Sequence, residues 1–83
     1  MDQIARSPKQ MGAIIQRHRR RLHLSQSAVG ARIKHRQATL SRLEAGDRGT
    51  SLGTLFDVLA ALNLEIVVRP RTKGSPEDVE VLF

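Results

Sequence analysis

The 83-residue chain has no cysteine, no tryptophan and no tyrosine, and its only aromatic residues of the Phe/Trp/Tyr class are Phe56 and Phe83. The missing cysteines exclude disulfides, thiolate metal ligands and cysteine nucleophiles, and fit a reducing cytoplasm. The near absence of aromatics argues against single-stranded nucleic acid held by base stacking. Apolar runs are only a few residues long, so no transmembrane span is expected. Asp2 and the lack of an apolar stretch behind it give no secretory signal. His18, His23 and His35 lack metal-ligand spacing, the serines have no paired His and acid, and no glycine loop suits a phosphate. The expectation is a non-enzyme with no metal and no cofactor. The length suits one small domain with a thin core, which favours oligomerisation.

The chain is rich in positive charge, and that charge is unevenly placed. Fourteen Lys/Arg against eight Asp/Glu give a net +6. Residues 1–48 hold eleven of the basic residues and three of the acidic ones, a net +8, whereas residues 49–83 are net −2. A polyanion is the natural partner of such a basic half.

In chain order, residues 1–6 read as a loose arm. Ser7 is a helix N-cap with Pro8 at the first helical position. The helix runs to about Leu22, with Met11, Ile14, Ile15, His18 and Leu22 on its inner face and Arg17, Arg20 and Arg21 outside. Ser25 caps a short second helix, QSAVGARI, whose Val29 and Ile33 face inward. Ala28 and Gly30 are small enough to let the next helix come close. The third helix spans about 36–45, points Leu40 and Leu43 to the core and stops at Gly46. Thr50 or Ser51 caps a fourth helix with Leu52, Leu55, Phe56, Leu59 and Leu62 as its apolar stripe, and Asn63 closes it. The period then changes. LEIVVRP alternates, is β-branched and ends at Pro70, so residues 64–70 read as a strand. No second stretch of comparable quality reads as a strand. Leu64, Ile66, Val67 and Val68 are therefore expected to pair with the same strand of a second copy. Residues 71–83 read as a flexible tail. Its last four residues, Glu80-Val81-Leu82-Phe83, read equally as a docking tail or as the start of a protease-cleavage tag.

The stretch 24–44 is the part with chemistry. Two short helices joined by a tight turn present Arg36, Gln37, Ala38, Thr39, Ser41 and Arg42 on a face whose largest apolar group is a methyl. A helix of this kind fits the major groove. Gln37 can bond adenine N6 and N7 together, and Arg36 and Arg42 can reach guanine or phosphate. Ser41 and Thr39 can take a base edge, and the methyls of Ala38 and Thr39 can meet a thymine methyl. Gln26 opens the second helix, where its amide and the free N–H groups suit a phosphate. Ser25, Lys34 and Arg48 complete the expected phosphate set. Arg19 and Glu44 are expected to pair and tie the third helix to the first.

Residues 11–62 resemble the Xre (Cro/cI-type) helix-turn-helix family, through Arg19, Gln26, Val29-Gly30, Gln37, Leu40, Leu43 and Glu44. The resemblance implies a mainly α, four-helix domain over residues 7–63. It also implies the Arg19–Glu44 link, a phosphate on Gln26, and base reading by Gln37, Ala38, Thr39 and Arg42. Ser7-Pro8-Lys9-Gln10, IKHRQATLS and the strand after the last helix are similar to the HipB-type antitoxins. That resemblance covers residues 7–70. It implies a homodimeric autorepressor on a palindromic double-stranded operator, cytoplasmic and nucleoid-associated, that neutralises a HipA-like Ser/Thr kinase toxin. The alternatives are an Xre regulator without a toxin partner, or a protein-interaction module with a vestigial DNA face. Two departures stand out: Lys34 where the family commonly has a turn glycine, and His18 in place of an aliphatic residue.

Overall fold

The computed structural model describes residues 2–71, and residues 72–83, which hold all of the expected tail but Arg71, lie outside them. Four helices follow one another: α1 (Pro8–Arg21), α2 (Gln26–Ile33), α3 (Gln37–Glu44) and α4 (Leu52–Ala61). Three of them start on a serine. Ser7 accepts from the Gln10 N–H, Ser25 from the Ala28 N–H and Ser51 from the Thr54 N–H, each satisfying an amide that the first helical turn leaves unpaired. Pro8 takes the first position of α1, as its missing N–H allows. The last turn of α1 carries His18, Arg19, Arg20 and Arg21, which suits the negative end of the helix dipole.

All four helices end in the same way. A residue with positive φ follows each: His23 (φ 58°), Lys34 (59°), Gly46 (88°) and Asn63 (57°). The N–H of the next residue then reaches back five positions: Leu24 to Arg19, His35 to Gly30, Asp47 to Arg42 and Leu64 to Leu59. This is the Schellman arrangement, which satisfies the orphan carbonyls of the last turn. Asn63 and Gly46 are the helix stops expected from the sequence. Lys34 and His23 hold the same left-handed geometry without being glycine. At Gly46 a side chain is barred twice, by its φ and because a Cβ would lie 2.7 Å from Lys9 Cα.

The core is Ile15 of α1, Val29 of α2, Leu40 and Leu43 of α3, Val58 and Leu59 of α4, and Leu62 just beyond it. Met11, Leu24, Ile33, Leu55, Ala61 and Leu64 pack against it partly buried. Packing of α3 on α1 is close. A Cβ on Gly12 would come within 2.5 Å of the Leu43 and Glu44 carbonyl oxygens. Gly30 does the same for the turn, since its Cβ would meet the His35 carbonyl oxygen at 2.6 Å, in keeping with the packing role expected of it.

Three expectations are corrected, two of them about burial. Leu22 is 44% exposed, because it is the C-cap of α1 and has turned off the inner face. Along α4 the inward stripe is half-buried Leu55 with buried Val58 and Leu59, continued by Leu62 beyond its end, which leaves Leu52 and Phe56 70% and 53% exposed on its flank. The arm before α1 is attached: Gln3 Oε1 accepts from Arg17 Nη2 at 3.0 Å, and Gln10 Oε1 accepts from the Arg6 N–H at 2.6 Å. His18 keeps the inner position expected of it, half-buried with Nε2 3.0 Å from the Leu62 carbonyl oxygen.

Among the described residues there is no strand. Residues 64–71 continue from α4 without regular structure, with Val67 and Val68 strongly exposed and Ile66 less so. A strand needs a neighbour for its N–H and C=O groups, and one copy of the chain offers these residues none.

Candidate nucleic-acid interface

The anchor of the site is an ion pair between α1 and α3. Arg19 Nε donates to Glu44 Oε2 at 2.6 Å and Arg19 Nη2 to Glu44 Oε1 at 2.9 Å. Both side chains are buried. The third guanidinium nitrogen, Nη1, donates to the Leu24 carbonyl oxygen at 2.8 Å, so the same arginine also ties down the link between α1 and α2. Burial pushes the Glu44 carboxyl up, but hydrogen bonds from Arg19 and Gln26 and the charges of Arg19 and Arg20 outweigh it. Glu44 therefore sits below the ordinary carboxylate value. The hydrogen bond to Glu44 raises Arg19 further against the opposing effect of burial.

The anchor continues outward through side chains. Gln26 Nε2 donates to Glu44 Oε1 at 3.1 Å. Gln37 Nε2 donates to Gln26 Oε1 at 3.4 Å, and Ser27 Oγ donates to Gln37 Oε1 at 3.3 Å. The two glutamines that open α2 and α3 are thus joined to each other and to the buried pair. Arg19 itself bonds Glu44 and Leu24, and Gln26 bonds the carboxylate.

On α3, Gln37, Ala38, Ser41 and Arg42 are exposed, and so is Arg36, its N-cap. Thr39 is half-buried. It lines a polar cleft of about 230 Å³ with Arg42, Asp47, Gly49, Thr50, Ser51 and Thr54. Thr39 therefore stands at the edge of the exposed face, against the loop to α4. The N-cap Arg36 makes no side-chain capping bond, and its carbonyl oxygen takes the Thr39 N–H, so the Gln37 and Ala38 amides are left to water or to a ligand. Lys34, Ser25 and Arg48 are all exposed. The Ser25 hydroxyl is engaged by the Ala28 N–H. Arg48 lies away from the α2–α3 turn, on a second cleft that it shares with Arg6, Pro8, Met11 and Leu55.

The bonds of Gln26 to Glu44 and of Gln37 to Gln26 have no counterpart in the sequence reading, and two further contacts share that standing. His35 Nε2 lies 3.3 Å from Asp57 Oδ2 and links the α2–α3 turn to α4. Ser27 reaches Gln37 across the pair of helices. Neither follows from spacing along the chain, because the first depends on how α4 packs beside the turn and the second on how α2 and α3 cross. Among the described residues no group of three or more His, Cys, Asp or Glu is placed to hold a metal ion, and no helix is long and apolar enough to cross a membrane.

The helix-turn-helix family pattern matches residues 15–68, which includes the buried pair, both glutamines and the turn. The chain belongs to the Xre-type helix-turn-helix family. Two curated relatives extend the match over most of its length. The antitoxin HipB of Escherichia coli O6:H1 is 32% identical over 74 residues, 89% of this chain and 79% of the relative. The antitoxin HipB of Escherichia coli K12 is 31% identical over 74 residues, 89% of this chain and 84% of the relative. Solved structures agree in shape. A HipB–O4 20-mer complex superposes with a TM-score of 0.81 at 28% identity, covering 86% of this chain and all of that one. A HipA–HipB–O2–O3 complex gives 0.80 at 28% identity with the same coverage.

Proposed function

We propose that this chain is a sequence-specific DNA-binding repressor that also serves as the antitoxin of a HipA-like kinase. One observation carries the DNA reading: α3 presents Arg36, Gln37, Ala38, Ser41 and Arg42 to solvent from a helix braced by the buried Arg19–Glu44 pair. Gln37, Arg36 and Arg42 contact base edges, with Ala38, Thr39 and Ser41 beside them. Gln26, Ser25, Lys34 and Arg48 hold phosphates and set the register. The basic excess of residues 1–48 draws the duplex in.

Two copies act together on a palindromic operator, with half-sites ~34 Å or a multiple of it apart. Residues 64–70 of each copy pair into a shared sheet. Support for this is the exposed, β-branched and unpaired run of Ile66, Val67 and Val68, together with the thin core of so short a chain. The kinase partner is supported by the likeness to HipB in its complex with HipA, and the compartment is the cytoplasm, at the nucleoid.

Selection from a pool of random duplexes tests the DNA reading. The expected product is a two-fold symmetric site bound at least 10³ times more tightly than random duplex at moderate salt. Recovery of no common sequence contradicts it. Co-purification with a kinase-like product of a neighbouring gene tests the antitoxin reading separately.

A further inference from the structure

We propose that His35 and Asp57 form a proton-dependent clasp on the outer end of α3, and that Asp57 is a positioning residue for base preference. The proposal rests on α3 being the base-contacting helix. That helix is held at both ends. Its inner end carries Glu44, which is locked to Arg19 of α1 away from solvent. Its outer end begins at the N-cap Arg36, directly after His35. The backbone of His35 is fixed on α2. Its N–H donates to the Gly30 carbonyl oxygen at 2.9 Å, and a Cβ on Gly30 would lie 2.6 Å from the His35 carbonyl oxygen. The side chain of His35 reaches α4, where Nε2 lies 3.3 Å from Asp57 Oδ2. Residue 35 is thus tied to both α2 and α4, and it sets where Gln37 and Ala38 stand at the start of α3.

The two holds differ in kind. A guanidinium stays charged, so the Arg19–Glu44 hold does not depend on a proton near neutrality. The outer hold does, because an imidazole changes charge between about pH 5 and pH 8. A carboxylate only accepts hydrogen bonds, so Nε2 carries the hydrogen whenever the clasp is closed. A second proton, on Nδ1, makes that bond charge-assisted, and such bonds are roughly twice as strong as neutral ones. Asp57 is the one charged side chain of α4. The other charges of the elements that meet here are cations: Lys34 and Arg36 on either side of His35, and Arg32 in the last turn of α2. They oppose the second proton, and Asp57 is the group that favours it. With the proton on, the outer end of α3 is held to α4 and Gln37 keeps one approach to a base edge. With the proton off, the hold slackens and neighbouring bases are told apart less well. Asp57 is exposed and His35 half-buried, so water screens the pair and the effect is modest.

The test takes a duplex that wild-type protein selects from a random pool. The ratio of affinities for that duplex and a random duplex is measured at fixed salt, at about pH 6 and about pH 8, both above the ordinary carboxylate range. Wild type is expected to show a ratio about 1.5–5 times larger at the lower pH, the worth of one exposed ion pair. Asp57→Asn and His35→Gln each lack one half of the charged pair and are expected to give the same ratio at both. Asp57→Glu, which keeps the carboxylate, is expected to restore the dependence. A wild-type ratio that ignores pH overturns the clasp. A dependence that survives in Asp57→Asn belongs to His18 or His23 and overturns the role of Asp57. Selection of no sequence removes base reading itself, and the proposal with it. A readout without DNA separates the two failures. In the free protein the Gln37 and Ala38 backbone amide NMR signals should follow titration of the His35 ring in wild type and not in Asp57→Asn. Signals that ignore the ring overturn the positioning role while base reading stands.

Discussion

Arg19 of α1 and Glu44 of α3 meet in two parallel hydrogen bonds, 2.6 and 2.9 Å long, with both side chains buried. A buried charge that loses its partner keeps the desolvation cost and loses the attraction. Arg19→Ala and Glu44→Ala are each expected to destabilise the fold by about 3–5 kcal/mol. The double variant Arg19→Met with Glu44→Leu is expected to recover most of that loss, because no charge is left stranded. Urea unfolding followed by circular dichroism measures all three.

The same pair gives the fold an acid-sensitive joint. The Glu44 carboxyl is held below its ordinary value in the folded state. A depressed folded value means stabilisation that is complete above the ordinary carboxylate pKa of ~4.3, and is lost as pH falls through the folded value. Arg19 stays charged throughout and adds no dependence. Unfolding free energy should therefore be flat with pH from neutrality to about pH 5 on this account, then fall with acidification. The fall should be smaller in the Met/Leu double variant, and equal slopes in both proteins would assign it elsewhere.

Lys34 occupies a left-handed position, φ 59°, at the turn between α2 and α3. A side chain there costs roughly 1–2 kcal/mol, and glycine gives part of that back as unfolded-state entropy. Lys34→Gly is expected to stabilise the fold by about 0.5–1 kcal/mol net. It also removes one cation from the proposed phosphate set, so affinity for every duplex should drop while base preference holds. Thermal unfolding and filter binding separate the two effects.

The exposed run Ile66, Val67 and Val68 makes a prediction about assembly. If residues 64–70 pair across a two-fold axis, Val67→Pro removes a ladder N–H and Ile66→Asp places a charge in the interface. Each variant should sediment as a monomer at concentrations where wild type is a dimer, with helical content retained. A dimer that persists in both variants would locate the interface elsewhere, with exposed Leu52 and Phe56 of α4 as the next candidates.

Much of this fold was legible in the sequence because its signals are local. Serine caps, a glycine stop, the asparagine stop and the three- and four-residue spacing of Ile15, Val29, Leu40, Leu43 and Leu59 each act within a turn or two. The inner stripe of α4 lies one step round from the one its spacing suggests. Its leucines fit two neighbouring stripes equally well, and only contact with α2 decides for Val58 over Leu52 and Phe56. His23 gave no sign of its left-handed conformation, since it is neither glycine nor asparagine. The Arg19–Glu44 pair was legible from its opposite charges on two helices. The series from Glu44 to Ser27 was not, because it forms only once α2 and α3 cross at the angle that Lys34 allows. The expected strand does not form among the described residues, where no neighbouring segment offers residues 64–70 a ladder partner.

The central claim is that the exposed face of α3 distinguishes one base sequence from another. Its most direct test is the ratio of affinities for the selected duplex and a random duplex, measured at fixed salt for wild type, Gln37→Ala and Gln26→Ala. Gln37→Ala should shrink that ratio by about 5–150-fold, the worth of one bidentate contact of roughly 1–3 kcal/mol. Gln26→Ala should weaken both duplexes and, through the loss of its bond to Gln37, shrink the ratio less. A ratio that stays at the wild-type value in Gln37→Ala would contradict the account.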